Sequence, residues 1–560
     1  MFKHKLRPVF VLQPTDIHLP SGLQYLLQYD GEGNLKMVRT PGLGKHFFSR
    51  AMLAGTQRYF YQVPSLELPY IEDYNGNGKL LQVIFPSEYR KVVYRYNNFA
   101  LPTLVLYGDT EINIKYYPGI SMISQSEVQG RGYRLVERYT YDSSLTDSYS
   151  VQFPDDYRLL HGKFSYVYDK NFRLIEIKSE FSKNLTMHMN YSFDDKNGFL
   201  MGVKSLQLEW PLVNMEKIYD EHVVISHEKD LYGRADNTRM VFRDNPRFSL
   251  NIVYDNMNRI SSWSQQVGTT DTTSFTYTYD IDGNLIEVRQ DGKSSWKYGY
   301  DNNGNINSVE TPDKHLEMEY DVGDKIKTFG KFRYKFDEDG FMIQRHDEDL
   351  LFNSNGQLVS VGNSLMYKFD YYYDRQGRIV VQNDRLGNMM QYFYADTLRS
   401  NIVTHTYNHT NEELTQYFYD SKNKLIALER QGQLMYVALD PMGSPIVIYD
   451  KDGLIKKKLS YDPLGQVVAD SNPQFELSFG FQGAIYNPVS KLSFIAHRVY
   501  DTMTGHFVNP DYSGMIRNLQ HLTESPMMLN NFQYRHIVNT HLLARTFPTL
   551  GIVSLSVLSL

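Results

Sequence analysis

A seven-residue unit recurs along much of the chain and constrains its fold more than any other feature. The unit is Tyr-Asp, two variable residues, Gly or Asn, a polar residue, and a Leu or Ile that opens a strand-like run. Clear copies begin at Tyr29, Tyr168, Tyr254, Tyr279, Tyr300, Tyr373 and Tyr419, and degenerate copies begin at Tyr320, Phe336, Phe352 and Tyr394. From Tyr254 to Tyr419 the copies lie 16 to 25 residues apart, which leaves room for two strands and two turns.

The turn chemistry of the unit predicts a β-hairpin. Asp at the first turn position accepts a hydrogen bond from the amide two residues on, and Gly or Asn four residues after the Tyr tolerates a positive φ. The predicted turn residues are Tyr254, Asp255, Tyr279, Asp280, Gly283, Tyr300, Asp301, Gly304, Tyr373, Asp374, Gly377, Tyr419, Asp420, Tyr461, Asp462 and Gly465. Because a lone hairpin is only marginally stable, the run predicts one continuous sheet that curls or closes to hide its edges.

Composition agrees with an all-β protein and excludes several functions. The chain has 45 Tyr and 31 Phe but only 3 Trp, and tyrosine favours half-buried sheet. A net charge of −6 without a long basic run argues against nucleic-acid binding. With no cysteine, the chain has neither a disulfide framework nor a Cys-ligated metal site.

The two ends of the sequence contain short apolar stretches. The stretch near residue 10 is too short for the core of a signal peptide. The stretch at 549–560 is shorter than the roughly 20 residues that span a bilayer. We therefore expect no membrane insertion by this chain itself.

The unit resembles the YD or Rhs repeat, which is found in bacterial toxin shells and in the animal teneurins. Two blocks are specifically similar to teneurins, at 334–345 and 393–420. The segment from Tyr461 to Asp511 resembles the Rhs core that ends such arrays.

This resemblance implies an all-β fold in which YD/Rhs hairpins form part of a large spiralling β-barrel shell. It divides the chain into a divergent YD-shell region at 1–253, YD repeats at 254–460, and an Rhs-associated core at 461–540. An apolar tail at 541–560 matches neither family pattern. Teneurin shells normally continue into a linker and a toxin-derived domain, so the sequence looks like a fragment of a longer protein.

The resemblance also implies a function. It predicts an extracellular shell for cell adhesion, which binds a latrophilin-type receptor or another teneurin at the outer face of the plasma membrane. A toxin-delivery capsule of Rhs type is the alternative, and a carbohydrate-binding wall with exposed aromatic side chains is a third hypothesis.

The sequence favours a protein that is not an enzyme and has no cofactor or metal. It contains no Gly-x-Ser-x-Gly, His-Glu-x-x-His or Walker motif. His405 and His409 are a weak zinc pair, because four residues of strand span about 13 Å; His536 and His541 are the other close pair. The Asp-rich turns lack the glycine and glutamate spacing of an EF-hand.

Three sequons are candidate glycosylation sites in an extracellular protein: Asn184, Asn190 and Asn408. Asn184 and Asn190 lie six residues apart, so we expect them to share one face of a strand.

Self-cleavage separates the adhesion and toxin interpretations. Toxin-type relatives end the core with an Asp-Pro-x-Gly-Leu segment whose aspartate acts with a second carboxylate. Asp511 could supply one acid, but Asn539 occupies the place of the other and exchanges no proton near neutral pH. We therefore expect no self-cleavage.

Overall fold

The chain is almost entirely antiparallel β-sheet. The computed structural model describes residues 4–6, 13–212, 215–363, 365–496 and 498–510. Within these ranges each strand from β1 to β44 pairs with the next strand along the chain, which makes one sheet of 44 strands. The all-β prediction is confirmed.

The strands alternate in direction along the sheet. The first twenty-four are β1 (His4–Leu6), β2 (Pro14–His18), β3 (Gln24–Tyr29), β4 (Leu35–Arg39), β5 (Lys45–Leu53), β6 (Thr56–Gln62), β7 (Tyr70–Tyr74), β8 (Leu80–Ile84), β9 (Lys91–Tyr96), β10 (Pro102–Tyr107), β11 (Thr110–Tyr116), β12 (Ile123–Gly130), β13 (Tyr133–Asp142), β14 (Leu145–Gln152), β15 (Gly162–Tyr168), β16 (Leu174–Phe181), β17 (Leu185–Phe193), β18 (Leu200–Val203), β19 (Leu206–Leu212), β20 (Met215–Tyr219), β21 (Val223–Lys229), β22 (Ala235–Phe242), β23 (Asn245–Tyr254) and β24 (Ile260–Val267).

The sheet continues with β25 (Asp271–Tyr279), β26 (Leu285–Gln290), β27 (Lys293–Tyr300), β28 (Ile306–Thr311), β29 (Lys314–Tyr320), β30 (Ile326–Phe329), β31 (Phe332–Phe336), β32 (Met342–Arg345), β33 (Glu348–Phe352), β34 (Leu358–Asn363), β35 (Tyr367–Tyr373), β36 (Ile379–Asp384), β37 (Met389–Phe393), β38 (His405–Asn408), β39 (Glu413–Tyr419), β40 (Leu425–Arg430), β41 (Gln433–Leu439), β42 (Pro445–Tyr449), β43 (Ile455–Tyr461) and β44 (Val467–Asp470). A separate four-stranded sheet follows, with β45 (Ile485–Asn487), β46 (Leu492–Ile495), β47 (Arg498–Asp501) and β48 (His506–Phe507). Two 3-10 turns lie at Ser182–Asn184 and Phe481–Gly483.

The sheet runs without a break through the first two of the three boundaries that the sequence suggests. β23 ends at Tyr254 and pairs with β24 beyond it. β43 ends at Tyr461 and still pairs with β44. The wall therefore extends into the core-like segment, and the separate sheet begins only at Ile485.

Most YD turns follow odd-numbered strands, although the turn at Asp450 follows β42. One example shows their geometry. Asp255 Oδ1 accepts hydrogen bonds from the amides of Met257 (2.8 Å) and Arg259 (2.9 Å). Asn258 has a φ of 63°, and a β-bulge precedes Tyr254. The positive φ and the bulge together let the chain reverse its direction in a short hairpin turn.

The same turn recurs along the sheet. The aspartate also accepts both amides at Asp301, Asp374, Asp420 and Asp462, and Asp280 accepts the amide of Asn284. Gly283, Gly304, Gly377 and Gly465 all have positive φ. In the divergent first half, the turns at Asn75 and Asn97 use an asparagine carboxamide in the same way.

The tyrosine of each unit joins its hairpin to the preceding one. Tyr373 Oη donates to the carbonyl of Leu358, the first residue of β34, at 2.5 Å. Pairing between β34 and β35 begins at Ser360, two residues after Leu358. The tyrosine hydroxyl therefore supplies the donor that β35 does not offer to the Leu358 carbonyl. Equivalent bonds are made by Tyr29, Tyr96, Tyr116, Tyr168, Tyr254, Tyr279, Tyr300, Tyr320, Tyr394, Tyr419 and Tyr461.

Many units add an arginine that links the turn to the next tyrosine. Arg259 Nε donates to Asp255 Oδ2 at 2.7 Å, and its guanidinium lies 4.3 Å from the centre of the Tyr279 ring. Arg378 bridges Asp374 and the Tyr394 ring in the same way. Each bridge combines a charge-assisted hydrogen bond with a cation–π contact between neighbouring units.

The sheet spirals, because residues far apart in sequence meet at an offset that shortens along the chain. The offset is 269 residues between Tyr70 and Asp339, and 202 residues between Arg247 and Tyr449. We call β2–β24 the first winding and β25–β44 the second winding. The edge that carries the turns after odd-numbered strands is the YD rim, and the edge that carries the turns after even-numbered strands is the loop rim.

No helix in the described part of the chain is long and apolar enough to cross a membrane.

Tyr373→Phe tests the tyrosine bond. The Leu358 carbonyl loses its donor in a buried environment, so we expect the free energy of unfolding to fall by about 1–3 kcal/mol. Urea denaturation followed by circular dichroism measures the change. Tyr157→Phe is the matched control, because Tyr157 is 94% exposed; equal effects for the two variants would contradict the role assigned to the bond.

Candidate functional site

Where the early strands of the two windings meet, YD turns of the second winding sit on the loop rim of the first winding and form a seam. Ser21 N donates to Asp282 Oδ1 at 2.9 Å, and Gly42 N donates to Asn303 Oδ1 at 2.7 Å. Asp282 and Asn303 each lie two residues after the first aspartate of their turn. In an isolated hairpin this turn position faces solvent. Here its side-chain oxygen accepts a hydrogen bond from a backbone amide of the first winding.

A third contact of this kind adds charge. Asp339 accepts from Ser87 N at 2.7 Å and from Ser87 Oγ at 2.8 Å, and Arg90 Nη1 lies 2.7 Å from its carboxylate. Arg90 also contacts Asp337 at 2.6 Å. Asp339 is buried, so its pairing with Arg90 compensates for the loss of water around the carboxylate.

A buried ionic cluster joins the windings further along. Glu137 on β13 accepts hydrogen bonds from Ser126 Oγ and Tyr149 Oη, each at 2.7 Å. Arg375 Nε of the second winding lies 3.5 Å from the same carboxylate. Since all members are buried, the cluster fixes the register of one winding on the other.

The C-terminal sheet is anchored to the second winding through Arg345. Its guanidinium is fully buried; Nη1 lies 3.0 Å from Asp501 Oδ1, Nη2 donates to Ser490 O at 2.6 Å, and Nε donates to Glu348 Oε2 at 2.7 Å. The neighbouring backbone bond from Met342 N to Val508 O measures 3.1 Å. The side chain therefore holds the core-like segment against β32 and β33.

A cleft of about 900 Å³ opens between the two windings, lined by residues 219–222 and 432–435. Tyr436 Oη donates to Asp220 Oδ2 at 2.5 Å, and Lys204 pairs with Glu429 at 3.2 Å. These bonds cross from one winding to the other beside the cleft.

His405 and His409 lie in different surroundings. His405 is buried among aromatic rings with Nδ1 3.0 Å from Thr404 Oγ1, and burial lowers its pKa to about 3. His409 Nε2 lies 3.1 Å from the side-chain oxygen of Gln391. The described residues contain no cluster of three or more groups that could hold a metal ion.

The three sequons lie in different environments. Asn190 is exposed on β17, and Asn184 is exposed in the 3-10 turn before it with a φ of 58°. The expectation that Asn184 and Asn190 share one face of a strand is therefore wrong. Asn408 is a wrong prediction, because its side chain is buried and its Nδ2 donates to Glu476, which leaves no room for a glycan.

Four predictions lie outside the described residues. They concern Asp511, Asn539, the histidines at 536 and 541, and the apolar tail at 541–560.

Together, the spiral sheet, the repeated Tyr-Asp turns and the docked C-terminal sheet define a YD-repeat β-shell protein. A family model described as Teneurin YD-shell matches residues 7–540. The chain belongs to the teneurin YD-shell family.

Similar proteins are teneurins from vertebrates and insects. Teneurin-1 of Mus musculus is 31% identical over 533 residues, which is 93% of this chain and 19% of the relative. Teneurin-3 of Danio rerio is 29% identical over 528 residues, covering 92% of this chain and 19% of the relative. Teneurin-m of Drosophila melanogaster is 29% identical over 525 residues, with 93% and 19% covered. The chain thus spans about a fifth of the length of these relatives.

A solved structure supports the fold. The crystal structure of TcdB2-TccC3 matches 96% of this chain and 36% of its own chain, with a TM-score of 0.60 and 13% identity. At this identity the likeness concerns the shell architecture alone.

Arg345→Met tests the anchor of the C-terminal sheet. The substitution leaves the fully buried Asp501 carboxylate without its cation, so we expect a loss of about 3–5 kcal/mol in the free energy of unfolding. Faster hydrogen exchange at 485–508 measures the release of the sheet. The double variant Arg345→Met/Asp501→Asn should recover part of the loss; if the single variant exchanges like wild type, Arg345 is not the anchor.

Proposed function

We propose that the chain is an extracellular recognition shell that binds a protein partner through the exposed face of its wall. The partner is an adhesion receptor of latrophilin type or another teneurin. Membership of the teneurin YD-shell family is the observation that carries this proposal. A rigid wall supports it, because interfaces formed from pre-organised surfaces lose little conformational entropy on binding.

Glycan scanning of the wall tests the proposal. Arg138 and Lys163 are exposed on the same face of the sheet, since both stand opposite Ser150 in the strand register. Arg138→Asn and Lys163→Asn each create a sequon, with Tyr139-Thr140 and Phe164-Ser165 following. A panel that begins with these two variants extends along the exposed face.

The panel is secreted from animal cells and measured by biolayer interferometry against a latrophilin-type ectodomain and a teneurin ectodomain. We expect wild type to bind one of them and at least one glycosylated variant to lose binding. The matched Arg138→Gln and Lys163→Gln variants carry no glycan and should bind like wild type. Binding that survives every glycan would contradict the exposed-face location, and a wild type that binds neither ectodomain would contradict the function.

A toxin-delivery capsule is the second candidate, because the shell of TcdB2-TccC3 shares this architecture. We propose that the chain does not cleave itself, since Asn539 replaces the acid expected at that place and a carboxamide cannot share a proton as a carboxylate pair does.

Intact mass spectrometry of the purified chain tests this proposal. We expect a single mass near 65.4 kDa after prolonged incubation. Release of a C-terminal piece near residue 539, lost in Asp511→Asn, would support the capsule instead.

A further inference from the structure

A small pocket lies between strands β24–β27 and the two turns that precede β42 and follow β43. Its volume is about 110 Å³, which is the space of roughly four water molecules. Phe275 and Trp296 on its wall are partly exposed, so the pocket is open to solvent. A pocket of this size holds a small chemical group and excludes a sugar ring or a folded peptide.

Aromatic rings form one wall of the pocket. Trp263 and Phe275 stand opposite each other in the strand register, and their rings stack at 4.6 Å. Trp296 lines the same wall. Trp263 Nε1 donates to Tyr277 Oη at 2.7 Å, so the indole N–H is used within the wall. The rings therefore offer their π faces to an occupant, and π faces attract cations.

The opposite wall is acidic. Asp440 and Asp462 line it, and neither carboxylate forms an ion pair within the part of the chain that the structure describes. Lys458 also lines the pocket, but its ammonium donates to Asp271. The charge that the pocket leaves uncompensated is therefore negative.

Gln265 supplies an independent indication of a ligand. It lies two residues after Trp263 on β24, which places both side chains on the same face of the sheet. The residue is only 7% exposed and lines the pocket. Its Oε1 has no hydrogen-bond partner among the described residues. Because an unsatisfied buried acceptor is costly, an occupant that donates a hydrogen bond here would relieve that cost.

We propose that the pocket binds the ammonium group of a primary alkylamine. An N–H of the ammonium donates to Gln265 Oε1, its charge faces the carboxylates of Asp440 and Asp462, and its alkyl carbons pack on the indole rings. A quaternary ammonium has no N–H for Gln265, and an anion is repelled by the carboxylates. The ammonium belongs either to a free small amine or to the end of a lysine side chain. The site does not depend on receptor binding by the exposed face.

The two carboxylates give the binding a defined pH dependence. Burial raises the pKa of Asp440 to about 6 and the pKa of Asp462 to about 7. Lys424 acts on Asp440, and Lys491 acts on Asp462, in the opposite direction. A cation favours the ionised carboxylates. The ammonium therefore binds most tightly above pH 7, and its affinity falls as both groups take up protons towards pH 5.

Tryptophan fluorescence of the full chain tests the site, because Trp263 and Trp296 are two of its three tryptophans. Propylammonium chloride is titrated at pH 8 and at pH 5, with sodium chloride at equal ionic strength and propanol as control titrants. We expect a saturable change with propylammonium alone, and a loss of affinity at pH 5. Nα-acetyllysine methylamide is titrated in parallel. Saturation by this probe as well assigns the site to lysine ends, and saturation by propylammonium alone assigns it to a free amine.

Three variants locate the binding. Gln265→Leu and Asp440→Asn should each weaken propylammonium binding about tenfold. An asparagine preserves the turn, as it does at Asn75, and circular dichroism checks the fold of each variant. Asp384→Asn is the matched control, because Asp384 Oδ1 accepts two amides of its own turn and does not line the pocket.

Three results would overturn the proposal. They are the absence of a saturable response to both ammonium probes, an equal response to propanol, and wild-type affinity in both Gln265→Leu and Asp440→Asn.

Discussion

The hydrogen bond from the repeat tyrosine to the preceding hairpin is the interaction on which the rest of the structure depends. Strand pairing between neighbouring hairpins stops short of the YD rim. A carbonyl there, such as that of Leu358, would have no hydrogen-bond donor without the tyrosine. An orphaned buried carbonyl is costly, and the tyrosine hydroxyl satisfies it while the ring covers the edge. A hairpin unit therefore stabilises the unit before it, which lets a marginal motif extend into a sheet of 44 strands.

Stacking of the windings gives the YD turn a second role. The first aspartate of a turn accepts the backbone amides within that turn, as Asp337 does from Asp339 N and Phe341 N. The side chain two residues later can therefore contact another winding. Asp282, Asn303 and Asp339 use that freedom. The spiral therefore grows from a single local motif.

The sequence predicted what lies within one unit and missed what lies between units. Tyr279, Asp280 and Gly283 are close in sequence, so their turn followed from local chemistry. The acceptor of Tyr279 is 19 residues away, and Asp282 meets Ser21 across 261 residues; neither distance leaves a local signal. Asn408 was wrong for the same reason, because the buried side chain bonds to Glu476, which is 68 residues away. The recurring arginine at Arg259 and Arg378 was the one available clue to contacts between units.

An engineered disulfide across the seam tests the spiral most directly. The chain has no cysteine, so Ser87→Cys/Asp339→Cys contains the only thiols. Ser87 Oγ and Asp339 Oδ2 lie 2.8 Å apart, so cysteines at these two positions face each other across the seam; a disulfide brings their Cβ atoms to about 3.5–4.5 Å. The spiral predicts an intramolecular disulfide on oxidation, seen as a 2 Da mass loss that reverses on reduction, and none in Ser87→Cys/Asp282→Cys. Free thiols in the first pair, or equal bridging in both pairs, would contradict the stacked windings.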